Sequence, residues 1–129
     1  MPALDNNLIV SVRRATNKGR SYFLGAKTSS FALSPGDCYG GLFTNEGATG
    51  PIVVSLPPAK AGMSVRVHLL AAQEVTFDPY GSDRILIYTD ANGDAIKTPG
   101  VVGSRIELFC VEDGKWMSDS EIGFWLDVN

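Results

Sequence analysis

Apolar and polar residues alternate along several short stretches of the chain, as in β-strands that bury one face. Residues 64–70 are an example, and their inward positions are Val65, Val67 and Leu69. Arg66 and His68 fall between these positions, so we expect both on the opposite, polar face of the strand. Residues 74–78 alternate in the same way around Val75 and Phe77, which predicts a further strand.

Two other stretches are apolar at consecutive positions. Residues 84–88 read Arg-Ile-Leu-Ile-Tyr, which favours a strand covered on both faces, either by a second sheet or by a neighbouring subunit. Residues 122–126 read Ile-Gly-Phe-Trp-Leu, the most apolar segment near the C-terminal end. We expect a core strand there, with packing against another chain as the alternative, because aromatic residues are enriched in interface cores.

Turn-forming residues separate the apolar stretches at short intervals. Asn92-Gly93 is the favoured pair for a two-residue type I′ turn, and it would join residues 88–91 to residues 94–97. Asp113-Gly114 predicts a second hairpin. Its expected cross-strand pairs are Glu112 with Lys115 and Val111 with Trp116. Pro57-Pro58 should end a strand over residues 52–56.

This density of turns and short strands predicts an all-β fold, either a compact antiparallel β-sandwich or a jelly-roll-like barrel with short hairpins. A length of 129 residues fits one domain. Within it we distinguish a basic N-terminal arm and hairpin over residues 1–30 from a β-module over residues 31–129. The hairpin would pair residues 8–12 with residues 21–24 around a turn at 16–19.

The net charge of −3 is distributed unevenly along the chain. Residues 1–30 carry five basic residues and one acidic residue, whereas residues 31–129 carry six basic and thirteen acidic residues. This asymmetry indicates either a molecule that presents different ends to different partners or an incidentally basic, solvated pair of strands. We expect neither a signal peptide nor a membrane-spanning segment, and therefore synthesis in the cytoplasm and no membrane partner.

Two groups of acidic residues invite a chemical interpretation. Asp90, Asn92 and Asp94 resemble the opening of a calcium loop, but positions 95 and 101 lack the glycine and glutamate that an EF-hand requires. Asp78 and Asp83 are close enough in sequence to suggest a glycosidase pair, although capping of the intervening turn explains them better. We therefore predict no metal ion and no cofactor.

His68 is the single histidine, and a nucleophilic dyad would have to combine it with Cys38 or Cys110. Cys110 falls in phase with the apolar positions of its stretch, so we expect it to face the core while His68 faces outward. Gly40-Gly41 and Gly47 lack the lysine of a phosphate-binding loop, and an isoelectric point near 5.0 disfavours nucleic-acid binding. We predict no catalytic residue, no enzymatic activity and no nucleic-acid partner.

Short turn motifs follow one another in a fixed order through the middle of the chain. They are Thr-Asn-Glu-Gly-Ala at 44–48, Leu-Pro-Pro at 56–58, Ala-Gly at 61–62, Ala-Ala-Gln at 71–73, Asp-Pro-Tyr-Gly-Ser-Asp at 78–83, Gly-Ser-Arg-Ile-Glu-Leu at 103–108 and Gly-Lys-Trp at 114–116. This order resembles a module of bacteriophage virion proteins, namely head fibres, capsid decoration (cement) proteins and some tail-fibre or tailspike segments. The resemblance covers roughly the middle 60% of the chain. It does not extend to residues 1–30 or 119–129.

The resemblance implies a capsid decoration protein that binds the major capsid protein on the outside of the phage head and stabilises the shell. Such proteins are usually trimers, so it also implies a homotrimer located on the virion surface. The alternative is a tail-fibre or head-fibre module that binds host-surface glycan, with Tyr80, Trp116 or Trp125 as stacking platforms. A glycan-hydrolysing enzyme is a third possibility, for which the sequence offers no constellation.

Two sets of residues are assigned on the basis of charge and apolar character. The predicted capsid contacts are Leu8, Val10, Arg13, Arg14, Lys18 and Arg20. The predicted subunit-interface residues are Ile85, Ile87, Phe124, Trp125 and Leu126.

Overall fold

The computed structural model describes residues 22–87, 90–93 and 95–128. This part of the chain forms twelve β-strands and one short 3₁₀ turn, Pro35–Cys38. The strands are β1 (Tyr22–Ala26), β2 (Phe31–Ala32), β3 (Tyr39–Thr44), β4 (Ile52–Ser55), β5 (Ser64–His68), β6 (Val75–Asp78), β7 (Arg84–Ile87), β8 (Asp90–Gly93), β9 (Ile96–Thr98), β10 (Arg105–Glu112), β11 (Lys115–Ile122) and β12 (Leu126–Asp127).

The strands form two sheets, and the chain crosses repeatedly between them. The larger sheet has the strand order β1-β3-β5-β10-β11-β7-β8, and the smaller sheet has the order β12-β9-β6-β4-β2. From β1 to β6 every strand lies in the sheet opposite to its predecessor. Each of β3 to β6 therefore neighbours the strand two places earlier, and the two run parallel.

The predicted all-β character is confirmed for the described residues, but the expectation of purely antiparallel sheets is wrong. Five of the ten described strand pairings are parallel. Hairpins make neighbours antiparallel, whereas a chain that crosses to the other sheet and comes back can resume its original direction. Hairpin turns are visible in a sequence, but these crossings are not.

The inner faces of the two sheets share one hydrophobic core. The alternation predicted for residues 64–70 is confirmed, because Val65 and Val67 are buried while Arg66 and His68 are half-buried on the other face. Val75 and Phe77 are likewise buried in β6. Phe43 of the larger sheet contacts Phe77 of the smaller sheet edge to face, with ring centroids 6.0 Å apart. Such contacts hold the sheets together mainly through burial of apolar area.

The Asp113-Gly114 hairpin is confirmed, with a difference in register. It joins β10 to β11, and Gly114 takes the positive φ of +86° that suits glycine in such a turn. Glu112 lies opposite Lys115 as predicted, and their charged atoms are 3.4 Å apart. The pairing of Val111 with Trp116 is wrong, because a register shift makes Cys110 the partner of Trp116 and leaves Val111 exposed.

The prediction of a turn at Asn92-Gly93 is also wrong. Both residues lie within β8, which runs antiparallel to β7 with Ile87 opposite Asp90 and Ile85 opposite Gly93. A favourable turn dipeptide is a local preference, and here the pairing of β8 with the buried strand β7 prevails over it.

One buried polar residue ties together the loop that follows β3 and the loop between β5 and β6. Asn45, which follows β3, is fully buried. Its side-chain oxygen accepts hydrogen bonds from the backbone N–H groups of Leu70 and Ala71, at 2.8 and 2.9 Å. Its amide nitrogen donates to the carbonyls of Ala71 and Gln73, at 3.1 and 3.5 Å. The Asn45 amide thus satisfies backbone groups that the strands leave unpaired.

Replacing Asn45 with alanine should destabilise the fold strongly. Asn45→Ala leaves the N–H groups of Leu70 and Ala71 without an acceptor, and each orphaned donor costs about 1–3 kcal/mol. We expect the free energy of unfolding to fall by about 2–4 kcal/mol in chemical denaturation, with little change in the denaturant slope. The control is Thr49→Ala, an exposed position in the same loop, which should alter stability by less than about 0.5 kcal/mol. Equal stability of the two variants would contradict this role for Asn45.

Candidate functional site

The outer face of the larger sheet gathers charged residues from three neighbouring strands. Because the valines of β5 face the core, Arg66 and His68 face outward. The register of β10 against β5 sets Arg105 opposite His68 and Glu107 opposite Arg66. Asp119 of β11 lies opposite Glu107 on the far side of β10. Two guanidinium groups, an imidazole and two carboxylates therefore share one surface.

A shallow basic pocket lies between these strands. It has a volume of about 310 Å³ and is lined by Arg66, His68, Arg105, Ile106 and Ser120. Partial burial, followed by the charges of Arg105 and Arg66, lowers the pKa of His68 below its ordinary value. The imidazole is therefore mainly neutral at pH 7, and the two arginines supply the positive charge of the pocket.

A β-bulge shapes the neighbouring part of this face. Between the pairs Glu107–Asp119 and Arg105–Ile122, two residues of β11, Ser120 and Glu121, stand opposite one residue of β10. Ser120 has a φ of +53°, the one positive value at a non-glycine residue in the described chain. Bulges and left-handed residues are over-represented beside functional sites, where they redirect side chains.

The bulge opens a second pocket of about 320 Å³, lined by Ser118, Asp119, Ser120 and Glu121. Ser120 lines both pockets, so they adjoin. Within the described chain, the Oε1 atom of Glu121 is buried and has no hydrogen-bond partner. A buried, unpaired carboxylate oxygen is costly unless something donates a hydrogen bond to it.

An apolar row crosses the same sheet on the side of the hairpin turn. Phe109 of β10 lies opposite Met117 of β11, which lies opposite Leu86 of β7. Phe109 and Met117 are each 41% exposed, and Val111 at the register shift is also exposed. Adjacent apolar side chains on a sheet surface are typical of regions that a partner covers.

The predicted subunit-interface residues divide into two groups. Ile85, Ile87 and Trp125 are buried in the core of the chain itself, so they are not available to a partner, and this part of the prediction is corrected. Their burial follows from the position of β7 inside the larger sheet and from the contact of Trp125 with Phe77. Phe124 and Leu126 are 71% and 49% exposed.

Two of the three predicted stacking platforms are also buried. Trp116 and Trp125 have 0% and 1% of their surface exposed, because both point between the sheets. Trp125 also donates a hydrogen bond from Nε1 to the carbonyl of Ile122, at 3.0 Å. Only Tyr80 of the three is exposed.

The predicted capsid contacts, all within residues 8–20, lie outside the described residues, as do the predicted strand 8–12 and its turn. Tyr22–Ala26 forms β1 at one edge of the larger sheet, where it pairs in parallel with β3.

Of the acidic residues considered for chemistry, Asp83 has a structural partner. Asp83 accepts a hydrogen bond from the backbone N–H of Ala59 at 2.9 Å, so it ties two loops together. Asp78 is exposed at the end of β6. Asp94 lies outside the described residues, and within the described part no three potential ligands are grouped as a metal site.

The two cysteines are both buried and unpaired. Burial, followed by the Asp37 carboxylate, raises the pKa of the Cys38 thiol to about 12. Burial also raises the pKa of Cys110, which donates a hydrogen bond from Sγ to the carbonyl of Glu112. Cys110 and His68 point to opposite faces of the larger sheet, so they do not form a dyad.

The sequence predicted His68 and Arg66 on one polar face but missed Arg105 and Ser120. Arg105 joins them only through the pairing of β10 with β5, across residues that are far apart in sequence. Ser120 carries no local signal, because serine is not a residue typical of the left-handed region.

In comparisons with known proteins, neither a protein-family model nor a curated sequence matches this chain. None of the described segments forms a helix long and apolar enough to cross a lipid bilayer. The functional conclusion therefore depends on the surface of the larger sheet and on the order of motifs in the sequence.

Both thiols should be unreactive in the folded protein. The thiolate is the reactive form, and a pKa of about 12 leaves Cys38 almost entirely protonated at pH 8. We expect no labelling by a thiol-specific reagent in native buffer and two labelled thiols per chain in denaturant. Rapid labelling of either cysteine before unfolding would contradict the burial of these side chains.

Proposed function

We propose that this chain is a structural protein of a bacteriophage particle: a capsid decoration protein that binds the major capsid protein outside the head as a homotrimer. The proposal starts from the resemblance of the motif order between residues 44 and 116 to phage virion modules. It is consistent with a two-sheet β-sandwich whose loops are tied to the core, a scaffold suited to bearing load.

The observation that carries the proposal is the apolar row of Phe109, Met117 and Leu86, in which Phe109 and Met117 are exposed and Leu86 is half-buried. This row lies near the middle of the larger sheet rather than at a frayed edge. Lys115 and Arg84, paired across β11 and β7, border it on one side. An apolar centre with a charged rim is the usual composition of a protein–protein interface.

A second apolar surface, Phe124 and Leu126, is the proposed contact between subunits. Leu126 belongs to β12, which is an edge strand of the smaller sheet. An exposed edge with apolar side chains is a ready template for association with another chain. A domain of this size buries only about two-thirds of its unfolded-chain surface, so a trimer contact would add useful apolar burial.

The basic residues Arg13, Arg14, Lys18 and Arg20 are the proposed docking contacts with the capsid, together with Leu8 and Val10. Basic side chains of this kind would orient the protein on a carboxylate-bearing surface and speed its association. Three contacts per trimer would convert weak single contacts into firm retention.

A fibre module that binds glycan remains the second candidate, and a specific observation favours it. The two adjoining pockets around Ser120 combine positive charge, hydroxyl groups and carboxylates, which suits a small polar ligand. The aromatic platforms do not support it, since only Tyr80 is exposed. The copy number in purified virions, measured by mass spectrometry, separates the candidates, because a decoration protein should far outnumber a fibre protein.

The wild-type protein should sediment as a trimer in analytical ultracentrifugation. Phe124→Ser removes an exposed aromatic anchor from the proposed contact and should shift the distribution toward monomer. The matched control is Leu70→Ser, which changes another exposed apolar side chain away from the C-terminal segment and should leave the trimer intact. A wild-type protein that is monomeric both in solution and on particles would contradict the trimer.

Removal of residues 1–20 should leave a folded β-module that no longer decorates particles, because the proposed docking charges are lost. Reversal of Arg13, Arg14, Lys18 and Arg20 to glutamate should have the same effect. Binding is measured by co-sedimentation with undecorated heads, and wild-type binding should weaken as salt rises. The control reverses Lys60, an exposed base elsewhere in the chain. Unchanged occupancy by the truncated protein would move the docking site to the apolar row or to residues 122–126.

A further inference from the structure

The basic pocket has the donors that a carboxylate requires. Arg105 and His68 face each other across two hydrogen-bonded strands, and Arg66 lies next to them in the same pocket. Among the described residues, Lys60, Lys97 and Lys115 form ion pairs with carboxylates of the same chain, and none of these pairs includes Arg105. A guanidinium group binds a carboxylate through two parallel hydrogen bonds, which is among the stronger polar contacts available to a protein surface.

The adjoining pocket has mainly acceptors. It presents the carboxylates of Asp119 and Glu121 beside two serine hydroxyls, and the buried Oε1 of Glu121 has no partner in the described chain. Ligand hydroxyl groups donate readily to carboxylates. An arrangement of fixed acceptors next to a cationic pocket therefore suits a molecule with one carboxylate and several hydroxyls.

The charges around the site limit the ligand further. Two arginines face three nearby carboxylates, which are Glu107, Asp119 and Glu121. With a neutral imidazole this surface repels a polyanion such as a phosphate chain, whereas one carboxylate directed at Arg105 avoids the acidic side. Each pocket is at the lower end of the size range of small-molecule sites, and the two meet at Ser120. A ligand as small as one sugar ring, placed at this junction, can therefore reach residues of both pockets.

We propose that these adjoining pockets, which meet at Ser120, bind an acidic sugar: a pyranose whose carboxylate contacts Arg105, Arg66 and His68 and whose hydroxyls contact Asp119 and Glu121. Ser120 lines both pockets and therefore lies between the two halves of the ligand. The site goes beyond the decoration role and does not depend on it. If the protein is instead a glycan-binding fibre module, these pockets are the place where the glycan would bind, since the buried tryptophans cannot contact it.

The single histidine makes the site directly observable. His68 is flanked by Arg105 on β10, by Arg66 on its own strand, by Ser120 on β11 and by Thr44 on β3. A bound carboxylate offsets the two arginine charges, so the pKa of His68 should rise on binding. Its ring resonances in NMR report this without interference from any other histidine.

The experiment titrates the full chain with D-glucuronate, D-glucose, acetate and alanine while the His68 ring and backbone amides are followed by NMR. We expect saturable shifts with glucuronate, with a dissociation constant on the order of millimolar. Shifts should centre on His68, Arg105 and residues 118–121. Acetate should bind at least about tenfold more weakly, because it lacks the hydroxyls, and glucose should produce no shift at His68.

Two variants test the two halves of the site separately. Arg105→Gln should weaken glucuronate binding by about tenfold or more, since a charge-assisted pair is lost. Asp119→Asn should reduce the preference for glucuronate over acetate while leaving acetate binding unchanged. The matched control is Lys97→Gln, an exposed base on the smaller sheet, which should bind like wild type. If Arg105→Gln does not fold, Arg105→Lys replaces it as the test variant. This substitution keeps the positive charge but removes the planar guanidinium group, so it should also weaken glucuronate binding.

Equal binding of glucose and glucuronate, or unchanged glucuronate affinity in both Arg105 variants, would overturn the proposal. Alanine that binds as tightly as glucuronate would indicate a site for a zwitterion and would overturn the assignment to a sugar. Co-sedimentation of Arg105→Gln with phage heads distinguishes this site from the docking function, because decoration should be retained when sugar binding is lost.

Discussion

The contact between the inner faces of the two sheets is the interaction on which the rest of the structure depends. Phe43, from the larger sheet, contacts Phe31 and Phe77 of the smaller sheet, with ring centroids 5.2 and 6.0 Å apart. Trp125 extends this aromatic group from the other end of the chain, at 6.3 Å from Phe77. Because these rings fill the space between the sheets, the alternate residues of each strand must point outward. The exposed surfaces on which function depends are therefore set by the packing inside.

The local pattern of the sequence predicted which residues face inward but not which strands are neighbours. The alternation around Val65 and around Phe77 depends only on consecutive residues, so both strands were placed correctly. Four of the five parallel pairings join strands that are separated in the chain by one strand of the opposite sheet, so they result from the crossings between sheets. The Asn92-Gly93 dipeptide shows the same limit, since its turn preference was outweighed by pairing with β7. Local preferences identify strands reliably, but the strand order is a property of the whole core.

The candidate site likewise depends partly on local sequence and partly on the pairing of distant strands. Arg66 and His68 share a face because they are two residues apart, and that relation is readable in the sequence. Arg105 belongs with them through a register that only the assembled sheet defines. At the bulge, Ser120 adopts a left-handed backbone conformation, which the presence of a serine does not predict. The tryptophans show a related limit. A large aromatic side chain suits both a binding platform and a core, and the side of the sheet on which it lies decides between them.

The crossing of the chain between sheets also has a consequence for how the protein folds. A strand of the first half cannot complete its pairing until the chain has passed through the opposite sheet and returned, so few of its contacts are local. Folding rates fall as contacts connect more distant parts of the sequence, because the entropy of closing each loop must be overcome first. The pairs β7–β8 and β10–β11, each of two consecutive strands, are the local exceptions and are suited to form early. Until Trp125 reaches Phe77, apolar faces and unpaired strand edges stay open to solvent, and the chain is then most prone to aggregation.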